Sequence, residues 1–107
     1  MSVPSLARLQ AGAAEPFWLV GPSGERCPAR LHAALPGVPV NTQHCCYAAR
    51  FALPPGVRAL QALYRVESHG DAWDLLLTPL APLADGSGVL EAVFHYRIQA
   101  DAGQSSA

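Results

Sequence analysis

Residues 63–97 decide the fold, and they read LYRVESHGDAWDLLLTPLAPLADGSGVLEAVFHYR. Three runs rich in aliphatic and aromatic residues, 63–68, 73–78 and 90–98, are separated by turn residues at His69–Asp71 and by a Gly/Asp-containing loop over Pro79–Gly88, with Asp85-Gly86 at its tip. Runs of this length between turn residues are typical of β-strands. The very short His69–Asp71 segment predicts a tight hairpin between the first two.

The upstream sequence adds three more strands of the same kind. They are Phe17–Val20, Ala29–Leu35 and Cys45–Leu53, and a Gly-Pro-Ser-Gly turn at Gly21–Gly24 separates the first two. Parallel strands need crossover connections of about a dozen residues or more, and these connections are mostly too short. We therefore expect a mainly β fold of about six antiparallel strands. A small barrel is the favoured arrangement, and a two-sheet sandwich is the alternative.

Alternating side chains predict which residues fill the interior. In the third strand Tyr47, Ala49 and Phe51 share one face, and in the second Leu31, Ala33 and Leu35 do so. The predicted core consists of Phe17, Leu19, Leu31, Tyr47, Phe51, Tyr64, Val66, Trp73, Leu75, Phe94 and Tyr96.

The chain is expected to form one β domain over residues 1–99, because 107 residues is close to the commonest domain size. A short N-terminal helix is predicted over residues 5–12. Ser5 can cap it, Leu6, Leu9 and Ala13 recur at helical spacing, and Gly12 and Pro16 limit its length. The small polar tail, residues 100–107, is predicted to be flexible.

Composition excludes several classes of function. Half of the residues are hydrophobic, 14% are charged and the net charge is −1, so no strong field would attract nucleic acid or an anionic membrane. All seven basic residues are arginine, which in an alanine-rich chain indicates a bacterial source. The N-terminus does not resemble a signal peptide, and no apolar run is long enough to cross a membrane, so we expect a cytoplasmic protein.

The soft metal ligands do not form a metal-site pattern. His44, Cys45 and Cys46 are adjacent, and Cys27 and His32 are the other plausible partners before the fourth strand. Zinc sites normally use paired ligands at defined spacings, and two neighbouring residues of a strand point to opposite faces. We therefore predict no metal or cofactor and interpret the cysteines as small hydrophobic residues.

Catalytic arrangements are conceivable, but the spacing does not require them. Cys46 could pair with His32 or His95 as an activated nucleophile, which would need the imidazole within hydrogen-bond reach of the sulfur. The carboxylates Glu67, Asp74 and Glu91 could serve acid/base chemistry. Arg65 and Arg97 alternate with these carboxylates on the outward face, however, and this favours cross-strand ion pairs. No catalytic residue is predicted.

Trp18 is the one residue that the sequence marks as a partner-binding candidate. If Phe17 and Leu19 face inward, Trp18 faces outward, and a large exposed aromatic side chain can anchor a protein partner. The competing interpretation is that the N-terminal helix covers Trp18.

Several short segments resemble an uncharacterised bacterial family of small single-domain proteins, a domain of unknown function. They are Pro16-Phe17, Tyr47–Phe51, Gln61–Glu67 and Leu90–Phe94. The family shows a Gln-Gly-x-Tyr-x-Leu-Glu-like start to the fourth strand and a Tyr-Glu-Ala-Val-Phe-Asn-like final strand. This chain departs from it at three positions, Ala62, Leu90 and His95. The resemblance implies no activity, ligand or catalytic residue, but it suggests an association with phage-tail-like genes.

These observations lead to three functional hypotheses. The first is a non-enzymatic β domain that acts by protein–protein contact or as a homo-oligomer, with a phage-tail-associated accessory protein as its variant. The alternative is a small-ligand binder that uses the barrel interior or its mouth near Pro79–Gly88. The third is a hydrolase-like enzyme with a Cys/His pair, which the sequence supports least, so we expect a protein that is not an enzyme.

Overall fold

A computed structural model describes residues 3–37 and 44–97 of the chain. These residues form one short helix and six strands: α1 (Leu6–Ala11), β1 (Phe17–Val20), β2 (Arg26–Pro36), β3 (His44–Pro55), β4 (Ala62–Ser68), β5 (Asp71–Leu80) and β6 (Ser87–Arg97). The mainly β composition and the short N-terminal helix are confirmed. The described residues do not include the predicted tail (residues 100–107), Ile98 or most of the β2–β3 connection.

The strands form a closed antiparallel barrel in the order β1-β2-β3-β6-β5-β4. Closure depends on the short strand β1, which pairs with β2 on one side and with β4 on the other. Leu19, for example, lies opposite Cys27 of β2 and opposite Val66 of β4. A strand with partners on both edges leaves no open sheet edge there, so the barrel is confirmed and the sandwich is wrong.

Every predicted core residue whose side chain the structure describes is buried, so the predicted core is confirmed at these positions. Tyr96 is the one predicted core residue whose side chain lies outside the description. Phe17 and Phe51 meet edge to face with ring centroids 5.3 Å apart, and Tyr47 stacks on Phe94 at 4.6 Å. Such aromatic pairs add to the stability that burial alone provides. Neighbouring aliphatic residues complete the interior: Leu9, Leu53, Leu77, Val89 and Leu90.

A β-bulge at His32 corrects the predicted pattern of β2. Leu31 lies opposite Phe51, but the next pair joins Ala33 to Arg50, so His32 is the extra residue. An extra residue reverses the alternation beyond it. The prediction that Leu35 shares a face with Leu31 is therefore wrong, and Leu35 is 41% exposed on the outer surface.

Helix α1 covers one end of the barrel. The Ser5 side chain caps it by accepting the amide hydrogen of Arg8, and Leu9 is fully buried. The Arg8 guanidinium reaches the β4–β5 hairpin at the same end, where Nη2 donates to the Ser68 carbonyl oxygen at 3.2 Å. The helix ends at Ala11, so Ala13 of the predicted apolar stripe is exposed.

The β4–β5 turn is shorter than predicted. Ser68 pairs with Asp71, so the loop consists of His69 and Gly70 alone, and both have positive φ, 52° and 89°. Two central residues of positive φ match the twist of a hairpin. The β5–β6 loop is also shorter than predicted, because Pro79 and Leu80 pair with Leu90 and Val89 inside the barrel wall.

Candidate functional site

The end of the barrel opposite α1 is formed by three connections. They are residues 21–25 between β1 and β2, residues 56–61 between β3 and β4, and residues 81–86 between β5 and β6. The β1–β2 connection is a tight turn, in which the Gly21 amide donates to the Glu25 carbonyl oxygen at 2.8 Å. The β3–β4 connection is anchored by the Val57 amide, which donates to the Pro54 carbonyl oxygen at 3.1 Å.

A cleft of about 670 Å³ opens between the first two of these connections. Ligand pockets in proteins commonly measure about 300–1,000 Å³, so this cleft could hold a small organic molecule. Buried core side chains from four strands line its inner part: Leu19, Leu53, Tyr64 and Leu90. Its rim includes three prolines, Pro22, Pro28 and Pro54, which keep the lining largely apolar.

A second cleft of about 310 Å³ lies on the other side of the β3–β4 connection. It extends to the end of β5 and to the β5–β6 loop, where Leu80, Pro82 and Gly86 contribute to its lining. The two clefts share five lining residues: Leu53, Val57, Arg58, Ala59 and Leu90. The β3–β4 connection is therefore the common wall of two adjacent recesses at the open end.

Two weakly acidic groups in the larger cleft have raised pKa values. Burial raises the pKa of the Cys27 thiol above its ordinary value. Burial is also the main cause of the raised pKa of Tyr64, and the negative charge of Glu25 adds to it. Both groups are therefore neutral near pH 7. The Tyr64 hydroxyl is also engaged, because it donates a hydrogen bond of 2.7 Å to the Leu60 carbonyl oxygen.

The charged side chains at the mouth differ in whether they already make hydrogen bonds or ion pairs with other residues of the protein. Glu25 lies back over Gly21, and its Oε1 accepts the Ser23 amide hydrogen at 3.1 Å. Arg26 pairs with Glu67 at 3.1 Å. Among the described residues that line the larger cleft, Arg58 is the one charged side chain with neither a hydrogen bond nor an ion pair.

Trp18 lies on the outer wall of the barrel and is 38% exposed. The Arg26 guanidinium, and not α1, covers part of its indole, with its carbon 5.0 Å from the ring centroid. Glu67, the ion-pair partner of Arg26, stands opposite Trp18 in the β1–β4 ladder. The neighbours of this aromatic side chain are thus charged, and Trp18 does not lie at the centre of an apolar patch.

A different set of outward side chains is apolar. Leu63 and Leu76 face each other across β4 and β5 and are 59% and 55% exposed. The β5–β6 ladder pairs Thr78 with Glu91. Leu76 lies two residues before Thr78 on β5, and Val93 lies two residues after Glu91 on β6. Val93 is 63% exposed. We call Leu63, Leu76 and Val93 the aliphatic strip.

Ion pairs flank the aliphatic strip on both sides. Arg65 Nε lies 3.6 Å from Asp74 Oδ1, and Arg50 Nε lies 2.9 Å from Glu91 Oε2. The predicted cross-strand pairing of these carboxylates with arginines is therefore confirmed for Asp74 and Glu91, and Glu67 pairs with Arg26. Carboxylates held this way are acceptors for arginine, which is not the arrangement of an acid/base pair.

The structure brings together one of the proposed Cys/His pairs. Cys46 and His95 stand opposite each other on β3 and β6, whereas His32 is the bulge residue of β2. Cys46 is half-buried and His95 is exposed, so the pair lies on the open outer wall and outside both clefts. Within residues 3–37 and 44–97, no group of three His, Cys, Asp or Glu side chains is arranged to hold a metal ion.

Sequence reasoning named the mouth near Pro79–Gly88 as a ligand site but missed the larger cleft. That cleft is built mainly from residues 19–28 and 53–64, two segments that meet through the pairing of β1 with β4 and of β2 with β3. The one local signal was the concentration of proline and glycine at Gly21–Gly24 and Pro54–Gly56.

Comparisons with known proteins give no further guidance to the site. No protein-family model matches the chain, and neither a curated protein nor a solved structure matches it. In the described part of the chain, none of the helices has the length and apolar character required to cross a lipid bilayer. The family resemblance stays a prediction.

Proposed function

We propose that this protein binds a small, largely apolar molecule in the cleft between its β1–β2 and β3–β4 connections. The observation that carries the proposal is the cleft itself, about 670 Å³ in volume and floored by core side chains of the barrel. An apolar recess that water must fill binds apolar molecules because burial of their surface is favourable. The cleft opens at this end of the barrel, and helix α1 lies at the opposite end.

A neutral fluorescent probe tests this proposal without involving charge. N-phenyl-1-naphthylamine fluoresces strongly in apolar surroundings, and we expect the protein to enhance its emission in a saturable way. Ala59 is half-buried in the shared wall of the two clefts, so Ala59→Phe should fill the space and weaken binding about tenfold or more. Ala72→Phe, at an exposed position of β5, adds the same ring outside the cleft and should change nothing.

Two results would refute the cleft as a binding site. One is the absence of saturable probe emission with the native protein. The other is equal probe affinity in native protein and Ala59→Phe, provided that the variant retains the native β circular dichroism spectrum.

The aliphatic strip supports a second candidate function, contact with a second copy of this chain. Within each ion pair that flanks the strip, the arginine and the carboxylate neutralise each other. Because the net charge of the chain is also only −1, two copies would not repel each other. Apolar contact surrounded by polar side chains is typical of protein interfaces. An accessory role of this kind, including one in a phage-tail-like assembly, stays a prediction.

Sedimentation velocity distinguishes this second candidate. We expect the average sedimentation coefficient to rise with protein concentration, and Leu76→Lys, which places a charge in the middle of the strip, to abolish the rise. Ala72→Lys adds the same charge on the same strand outside the strip and serves as the control. A protein that stays monomeric up to about millimolar concentration would exclude a dimer of even weak affinity.

A further inference from the structure

We infer that the preferred ligand of the cleft carries one carboxylate on an apolar body, and that Arg58 binds this carboxylate. The inference rests on the proposed function, because it assigns a chemical class to the ligand of the same cleft. Three features of the cleft support it: the apolar lining, the contacts that its other charged groups already make, and the position of Arg58.

The lining requires that most of the ligand be apolar. Leu19, Leu53 and Leu90 form the inner surface, and proline rings form part of the rim. Two polar side-chain groups of the lining, the Tyr64 hydroxyl and the Cys27 thiol, are neutral near pH 7 and hydrogen-bonded to the carbonyl oxygens of Leu60 and Pro28. A charged group in the inner part of the cleft would lose its hydration without gaining a partner, so any charge on the ligand belongs at the rim.

The charged groups at the rim favour an anion. Glu25 is folded over its own turn and accepts the Ser23 amide hydrogen. Arg26 is turned towards the outer wall, where it contacts both Glu67 and Trp18. These contacts leave Arg58, within the described lining of this cleft, as the charged side chain that is available to a ligand.

The position of Arg58 allows its side chain to reach an anion at the mouth of either cleft. It lies between Val57 and Ala59, which are half-buried, and all three residues line both recesses. The guanidinium group is exposed, planar and able to donate two parallel hydrogen bonds to one carboxylate. A ligand with its apolar body in the cleft and its carboxylate at the rim would satisfy both the lining and the arginine.

Three probes that share an alkyl chain test the inference: octanoate, octan-1-ol and octylammonium. Binding is followed on the full chain by the backbone amide NMR shifts of Leu19, Leu53 and Leu90. We expect octanoate to bind more tightly than octan-1-ol and octylammonium to bind most weakly. Arg58→Gln should weaken octanoate about five- to tenfold, as expected for an ion contact that remains partly solvated, and should leave octan-1-ol unchanged.

Arg30→Gln is the matched control, because Arg30 is an exposed arginine of β2 outside the lining of the cleft. This variant should bind octanoate with native affinity. Equal affinity for octanoate and octan-1-ol, or native octanoate affinity in Arg58→Gln, would overturn the carboxylate inference while the cleft remained a binding site. If none of the three probes shifts the cleft resonances, the proposed function fails together with the inference.

Discussion

The hydroxyl of Tyr64 donates a hydrogen bond of 2.7 Å to the carbonyl oxygen of Leu60. This contact ties the β3–β4 connection to strand β4, where the tyrosine ring is part of the barrel core. The connection is the common wall of both recesses at the open end. The shape of the cleft therefore depends on a hydrogen bond made by a core residue.

Removal of this hydroxyl should affect stability and ligand binding together. We expect Tyr64→Phe to lower the free energy of unfolding by about 1 kcal/mol, the usual net contribution of one hydrogen bond, and to weaken N-phenyl-1-naphthylamine binding a few-fold because the wall is no longer held. Urea denaturation and fluorescence titration measure the two effects. Tyr47→Phe is the control, since the Tyr47 hydroxyl donates to the Pro4 carbonyl oxygen at the opposite end. It should lose similar stability and keep native probe affinity, and native affinity in Tyr64→Phe would contradict the prediction.

The adjacent residues Leu76 and Leu77 test the inward and outward faces of β5 directly. Leu77 is completely buried in the core, whereas Leu76 is 55% exposed. We expect Leu77→Ala to lower the free energy of unfolding by about 2–5 kcal/mol through lost burial and the cavity it leaves. Leu76→Ala should change it by less than about 0.5 kcal/mol. Chemical denaturation of the two variants measures both values, and a larger loss for Leu76→Ala would mean that the register of β5 is wrong.

Arg8 joins helix α1 to the β4–β5 hairpin through three contacts. Its Nε lies 3.1 Å from Asp71 Oδ2, its Nη2 donates to the Ser68 carbonyl oxygen, and its guanidinium carbon lies 5.4 Å from the Trp73 ring centroid. We expect Arg8→Ala to lower the free energy of unfolding by about 1–2 kcal/mol, because the arginine is partly buried and the contacts act together.

The matched control for Arg8 is Arg65, whose more exposed ion pair with Asp74 measures 3.6 Å. Arg65→Ala should lower the free energy of unfolding by less than about 1 kcal/mol. Hydrogen exchange adds a local measurement, since amides of α1 should exchange faster in Arg8→Ala than in Arg65→Ala. Equal exchange in the two variants would show that Arg8 does not hold the helix in place.

Alkaline pH should destabilise the barrel through Cys27 and Tyr64. Folding raises the pKa of both groups above their ordinary values of 9.0 and 10.0, so the folded state favours their neutral forms. Their contribution to stability is fully present below the ordinary pKa values and is lost as the pH rises through the raised ones. The double variant Cys27→Ala/Tyr64→Phe should therefore lose less stability than the native protein between about pH 8 and about pH 11 in urea denaturation. Parallel pH profiles of the two proteins would contradict the assignment.

Much of the fold could be predicted because strand alternation is a local property. In β4 and β6 the inward residues Tyr64, Val66, Leu90 and Phe94 follow strict period two, and no neighbouring strand needs to be known to identify them. The turns at Gly21–Gly24 and His69–Gly70 are likewise marked by residues that favour positive φ or tight turns. Antiparallel pairing then followed from the short connections between strands.

Three features depended on tertiary structure. The His32 bulge arises from the match between β2 and β3, so the exposure of Leu35 was not visible in either strand alone. Trp18 was predicted to be either free or covered by α1, but Arg26, eight residues away, covers part of it because β1 and β2 pair across their turn. The aliphatic strip likewise combines residues from three strands.

The sequence by itself determined that this chain forms antiparallel strands with a shared apolar face, because the alternation of apolar and polar side chains is a local property of each strand. It left barrel and sandwich as alternatives, and only the pairing of β1 with β4 decided between them. That pairing, together with the pairing of β2 with β3, brings residues 19–28 beside residues 53–64 and so creates the cleft. A cavity is a relation between segments distant in the chain, and local periodicity carries no information about which segments will meet.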